Sequence, residues 1–164
     1  MVSERGWPAE SAQLLWNTLE PGYFLRHEPA DIAWHARQLM LHVGSPQPIV
    51  RARPSLAGEG VQVLVYAPDT QDLFARICGY FDQANLSILH ARIYTSPHGH
   101  ALDTFQVLPT QLEMDARTLP SLIEARLPPP LAAATPLPEP VRRQPSRAKI
   151  AEVSALYAQM LKQP

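Results

Sequence analysis

A chain of 164 residues with 46% hydrophobic and 18% charged residues has the size and apolar content for one compact domain with attachments, or two very small domains. Its net charge of −1 gives no electrostatic case for nucleic acid, and no apolar run approaches the length of a membrane span. The single cysteine, Cys78, excludes an internal disulfide and fits a reducing cytoplasm, and the opening MVSERGWPAES does not read as a secretory signal.

Residues 1–44 read as helical. SAQLLWNTL (11–19) carries Leu14, Leu15, Thr18 and Leu19 at helical spacing, and Pro21-Gly22 closes it. A second helix is expected from Pro29, because proline suits the first helical position and forces Glu28 into extended backbone. Asp31 then sits in the first turn, against the positive end of the helix dipole. Ile32, His35, Ala36, Leu39 and Val43 form its apolar stripe, and Gly44 and Pro46 stop it. Within YFLRHEPADIAWH (23–35), His27, Asp31 and His35 would share one face of a continuous helix, as metal ligands do. Pro29 breaks that register, so His35 is expected as a packed, hydrogen-bonded histidine.

SPQPIVRARPSLAGEG (45–60) reads as a linker with a short extended piece, PIVRAR. VQVLVYAP (61–68) alternates as a strand, and Asp69 is expected to cap the next helix, whose stripe includes Leu73, Phe74, Ile77, Cys78 and Phe81. Asn85 closes that helix. SILHARIYTS (87–96) is a strand with Ile88, His90, Arg92 and Tyr94 on one face. Pro97-His98-Gly99 turns the chain back into HALDTFQVLP (100–109), and a helix follows over about 115–127. The order β-α-β-β-α indicates an α+β, ferredoxin-like split βαβ module. Its closing strand is the weak point. The following PPPLAAATPLPEPVRRQP belongs to a chain with 18 prolines, about twice the average share, and proline confines any strand there to a short edge. SRAKIAEVSALYAQMLKQ (146–163) regains helical periodicity as an amphipathic tail helix.

No histidine pair has HExxH spacing, one cysteine cannot form a CxxC site, and there is no G-x-S-x-G, P-loop or G-x-G-x-x-G. His98 and His100 fall at a hairpin tip, where solvation is expected. Asp103 is expected to reach a hairpin or backbone donor, and Cys78 reads as a small apolar packer. Arg142, Arg143, Arg147 and Lys149 read as a solvated linker. No catalytic residues, metal site or cofactor follow from these patterns.

The stretch VLVYAPDTQDLFARICGYFDQANLSILHARIYTSPHGHALDTFQVL (63–108) resembles an ACT domain, a small-molecule sensing module. More narrowly, it resembles the first of two C-terminal ACT domains in bifunctional uridylyltransferase/uridylyl-removing enzymes, which modify the signalling protein PII. PDTQDLFA, NLSILHARIYT and HALDTFQVL carry the likeness, and YFLRHEPADIAWH is similar to the segment before that domain. The resemblance implies a helical interdomain segment (1–44), a linker (45–60), an ACT domain (61–140), and a linker with the tail helix (141–164). It also implies regulation by glutamine, with catalytic domains upstream and a second ACT domain downstream. The ligand contacts it implies are Asp69, Thr70, Gln71 and Asp72 in the loop after the first strand, with Asn85 and Ser87 beyond the helix. Asp72 stands where many ligand-binding ACT domains have glycine. That departure keeps a second reading open: a scaffold that pairs with another copy and binds no metabolite.

Overall fold

A computed structural model of the chain describes residues 9–56, 58–111, 115, 117–132 and 147–162. Its centre is a four-stranded antiparallel sheet in the order β1-β2-β4-β3, built from β1 (Ile49–Pro54), β2 (Val61–Pro68), β3 (Leu86–Arg92) and β4 (His100–Pro109). The expected α+β, ferredoxin-like arrangement is present, but its fourth strand comes from the other end of the module. PIVRAR forms β1, pairing from Ile49 opposite Tyr66 to Pro54 opposite Val61. It takes the edge place beside β2 that a strand after the last helix would otherwise fill. Downstream, Pro129–Leu131 form a short 3-10 turn, and residues 133–146 lie outside the described residues.

Alternation along β2 explains why the sheet is covered twice. Val61, Val63, Val65 and Ala67 point to one face, where α4 (Leu73–Gln83) and α5 (Leu119–Arg126) bring Leu73, Ile77, Phe81, Leu119 and Ile123. Leu64 and Tyr66 point to the other. There they meet Leu15 of α1 (Ala9–Trp16), Tyr23 of α2 (Pro21–Arg26) and Leu39 of α3 (Pro29–Leu39). The helical segment is therefore a third layer, joined to the sheet through a core of its own. Two tyrosines, Tyr66 of β2 and Tyr94 just past β3, fasten its backbone: Tyr94 Oη accepts from the N–H of Glu20 at 2.7 Å, and Tyr66 Oη from that of Gly44 at 3.0 Å.

Several local expectations change. Pro21 begins α2 instead of ending its predecessor, because proline at the first helical position lacks only an N–H that the helix would leave unpaired. Helix α4 starts at Leu73 with Asp72 at its N-cap position, three residues beyond the cap expected at Asp69, and Asp72 makes no side-chain capping bond. Along α4, Arg76 is buried and donates to the Pro130 carbonyl at 3.2 Å, while Phe74 is half exposed. Asn85 does close α4, in the left-handed region at φ 58°.

A bulge in β3 divides the face expected to hold Ile88, His90 and Arg92. Ile88 pairs with Val107 and His90 with the adjacent Gln106, so the alternation flips between them. Ile88 packs towards α4, whereas Arg92 and Tyr94 turn to the face of the helical segment. The tail helix α6 (Arg147–Leu161) forms, and its Leu156, Tyr157, Met160 and Leu161 are each more than half exposed. The linker cations Arg142 and Arg143 fall outside the described residues, as do the side chains of Arg147 and Lys149. No described helix is long and apolar enough to cross a membrane.

Candidate functional site

The loop between β2 and α4 is held at its start, where the Asp69 N–H donates to the Gly99 carbonyl at 2.8 Å. Asp69, Thr70 and Gln71 are exposed and Asp72 is half-buried. Asn85 and Ser87 lie past the other end of α4, whose 11 residues extend ~16 Å. A single small ligand on this one chain therefore cannot touch both groups. The fold brings together the four loop residues, and it keeps Asn85 and Ser87 apart from them. The Asn85 carbonyl is occupied by the N–H and hydroxyl of Thr110, each at 2.9 Å.

Behind this loop lies Asp103, 2% exposed, whose Oδ1 accepts the Tyr94 N–H at 3.2 Å. This is the backbone donor expected from the sequence. Burial raises its pKa to about 7, opposed by the hydrogen bond from Tyr94 and reinforced by the negative charge of Asp69. His100 departs from the solvated tip expected for it: its ring stacks on Tyr66, and Nε2 bonds to the Ser45 carbonyl at 2.9 Å. Cys78 is half-buried, with its pKa raised by desolvation, which keeps the thiol protonated and unreactive.

On the opposite face, Tyr23, His27 and His35 form an aromatic cluster. Tyr23 Oη meets His35 Nδ1 at 2.5 Å, His27 Nδ1 donates to the Tyr23 carbonyl at 2.9 Å, and the two imidazole centroids lie 5.2 Å apart. The histidines of the broken helical register thus meet through the tertiary fold. Asp31 does not join them. Its Oδ1 accepts from Arg53 at 2.9 Å, and the Arg53 guanidinium also lies 4.1 Å over the Trp34 ring, tying α3 to β1. No group of three or more metal-binding side chains occurs among the described residues. His35 is fully buried, and desolvation lowers its pKa to about 3, with the neighbouring His27 adding to the shift. Desolvation also lowers the pKa of His27.

These shifts predict opposing pH dependences. Below pH 6.5 the unfolded chain protonates His35 and the folded chain does not, so stability falls by about 2 kcal/mol on going to pH 5. Asp103 has the opposite sign. Its raised folded pKa, about 7, adds stability at low pH that is lost as pH rises from 3.8 through 7. Asp103 opposes the His35 loss between pH 7 and 5, and His27 adds to that loss. Asp103→Asn retains an acceptor for Tyr94 and removes one side of the balance. Urea unfolding should show that variant losing about 2 kcal/mol or more between pH 7 and 5, and the unsubstituted chain losing clearly less. Equal pH slopes for the two proteins would contradict the assignment.

Sequence reasoning missed Tyr23, Tyr66, Tyr94, Arg53 and Arg92 as structural or site groups. The tyrosines did carry a signal, since a strand tyrosine facing a separate helical segment needs a polar partner for its hydroxyl. Arg92 carried none before the bulge was known.

Comparison with known proteins places this geometry. The family model described as the uridylyltransferase GlnD fifth domain matches residues 1–38, which contain α1, α2 and most of α3. Bifunctional uridylyltransferase/uridylyl-removing enzymes of Burkholderia thailandensis, Burkholderia mallei and Burkholderia pseudomallei are each 49% identical to the chain over 140 residues, 85% of its length. The chain belongs to this enzyme family. It corresponds to the C-terminal region of the uridylyltransferases and spans about 16% of the length of the relatives it matches. The family-model match ends one residue before the end of α3, so the fifth-domain segment is the layer that packs on Tyr66 and is fastened by Tyr94 through Glu20.

Proposed function

We propose that this region is a glutamine-sensing ACT module of a uridylyltransferase/uridylyl-removing enzyme. In this reading it acts allosterically on upstream catalytic domains that modify PII, together with a second ACT domain downstream. The observation that carries the proposal is the shared core. Leu64, Tyr66 and Leu102 of the sheet, with Tyr94 just past β3, pack against Leu15, Tyr23 and Ala36 of the segment matched to the fifth domain. An effector that shifts the sheet must alter contacts in the layer leading to the rest of the enzyme, which is how a population shift is transmitted. The β2–α4 loop with Asp69, Thr70, Gln71 and Asp72 is the proposed effector loop, and we begin the sensing unit at Ile49 because β1 completes its sheet. Calorimetric titration with glutamine, with leucine and serine as controls, tests the ligand. Saturable heat and a thermal shift for glutamine are expected; neither at millimolar glutamine would refute direct binding.

A second reading, a self-associating scaffold that binds no metabolite, is favoured by the exposed Leu156, Tyr157, Met160 and Leu161 of α6. It requires a stable dimer in sedimentation that dissociates when residues 146–164 are removed. A monomer at all concentrations would exclude it. The edge of β1 is a poor surface for such pairing, because the Ala52 N–H already donates to Glu124 Oε1 at 2.9 Å.

A further inference from the structure

The two edges of the sheet differ. At β1, Glu124 already takes the Ala52 N–H, so a side chain closes part of that edge. At the other side β3 ends the sheet, with no strand beyond it among the described residues. Every residue from Leu89 to Ile93 is exposed there, Leu89 at 48% and Ile93 at 43%. Phe74 of α4 adjoins them: its ring stacks on Phe105, the partner of Ala91 in β3, and it is 50% exposed. A groove of about 320 Å³ opens beside the same strand, lined by Ala91, Ile93 and Tyr94 together with Arg26, His27 and Arg92. An open edge carrying apolar side chains invites pairing with other chains, and proteins commonly blunt such an edge by covering it with a helix. Helix α6 has the matching deficit. All its side chains from Ser154 to Leu161 are exposed, and Leu156, Tyr157, Met160 and Leu161 recur at the spacing of one helical face.

We propose that α6 is the cover for this edge. The helix closes in cis along β3, setting Leu156, Tyr157, Met160 and Leu161 on Phe74, Leu89 and Ile93. The lengths agree: the 15 residues of α6 extend ~22 Å and the 7 residues of β3 ~23 Å. The tether is long enough. The chain leaves the fold at the 3-10 turn Pro129–Leu131, which is fixed to α4 where Arg76 donates to the Pro130 carbonyl at 3.2 Å. Because α4 packs on β3, the edge lies about one helix diameter, ~10 Å, from that point. Residues 133–146 can span up to ~45 Å, several times that distance. A tether of this reach holds α6 at high effective concentration over its own sheet, which favours the contact in cis over one with a second chain. Tyr157 suits the groove, since its ring can lie on Ala91 and Ile93 while its hydroxyl meets the guanidiniums of Arg26 and Arg92. The consequence is regulatory: any strand that pairs with β3 must first displace α6. The scaffold reading uses the same face of α6 and requires the opposite response to its removal.

The test uses the 164-residue chain carrying Cys78→Ser and Ala155→Cys, with a nitroxide spin label on the new thiol and ¹⁵N in the backbone. Position 155 is exposed and lies on the side of α6 away from Tyr157 and Met160. The amide signals of Phe74, Leu89 and Ile93 are expected to broaden in the labelled chain. They should stay sharp when a labelled chain without ¹⁵N is mixed with an unlabelled ¹⁵N chain. Sharp signals in the labelled chain, or equal broadening in the mixture, would overturn the cover in cis, the second by assigning α6 to another copy. Leu156→Asp with Met160→Asp, on an exposed face outside both cores, should abolish the broadening and leave the other signals of the sheet in place. Broadening that survives this pair would also overturn the proposal. In sedimentation the unsubstituted chain should be a monomer, and removal of residues 146–164 should strengthen self-association tenfold or more through the uncovered edge. A dimer that dissociates on that removal would overturn the cover and support the scaffold. None of these outcomes depends on glutamine, so failure of the cover and failure of glutamine sensing are read separately.

Discussion

Gly60→Ala is expected to destabilise the chain by about 3 kcal/mol, read as a lower urea midpoint at unchanged slope. Gly60 ends the connection from β1 to β2 at φ 92°, a conformation that L side chains rarely adopt. A Cβ there would lie 2.2 Å from the carbonyl oxygen of Val107 and 3.1 Å from its carbon, both part of the backbone of β4. Neither can yield without moving a central strand. The Gly60 carbonyl also accepts the Ser55 N–H at 2.9 Å, so a shift would open the turn that brings β1 onto the sheet. Gly22→Ala is the matched control, since a Cβ there meets nothing within 4 Å and the position is helical. It should be neutral or slightly stabilising. Equal stability of the Gly60→Ala and unsubstituted chains would mean that β1 is not held in this register.

The second large effect is expected at Tyr23, which is fully buried between the two histidines and Tyr94. Tyr23→Ala should cost about 4 kcal/mol in the stability of the helical layer, through lost burial and the cavity left behind. Tyr23→Phe retains the ring and strips His35 Nδ1 of its partner, so about 1–3 kcal/mol is expected from the stranded buried nitrogen. The losses should be local. The core beneath α4 and α5 contains none of these residues, so amide exchange should accelerate in α1–α3 and remain slow in β2 and β4. Uniform acceleration throughout the sheet would show instead that the two layers unfold as one unit.

The fold was legible wherever one periodicity governed a whole element. β2 and β4 run over the residues their alternation indicates, and α3 begins at the proline that marks it. The residues of its stripe that are fully buried, His35, Ala36 and Leu39, include the histidine read as a packer. The failures have physical causes outside local pattern. PIVRAR is legible as a short extended piece, but its place in the sheet depends on pairing with β2 and on Glu124 from α5, which no local pattern shows. The bulge between Ile88 and His90 is invisible to strict alternation, which groups Ile88 with His90, Arg92 and Tyr94 although it faces the other way. The Asp69 cap failed because Thr70, Gln71 and Asp72 turn before the helix begins, with Leu73 N–H donating to the Thr70 carbonyl at 3.1 Å. His27 and His35 illustrate both sides. Sequence correctly separated them in register, and only tertiary packing could show their rings in contact.

The proposal that effector binding is transmitted from the sheet to the fifth-domain segment is tested most directly by amide hydrogen exchange of the chain with and without saturating glutamine. The account predicts that residues 21–39, whose helices pack on Tyr66 and Tyr94, change protection along with the β2–α4 loop. Protection patterns that are identical at millimolar glutamine, or changes confined to the loop while α2 and α3 stay fixed, would contradict it.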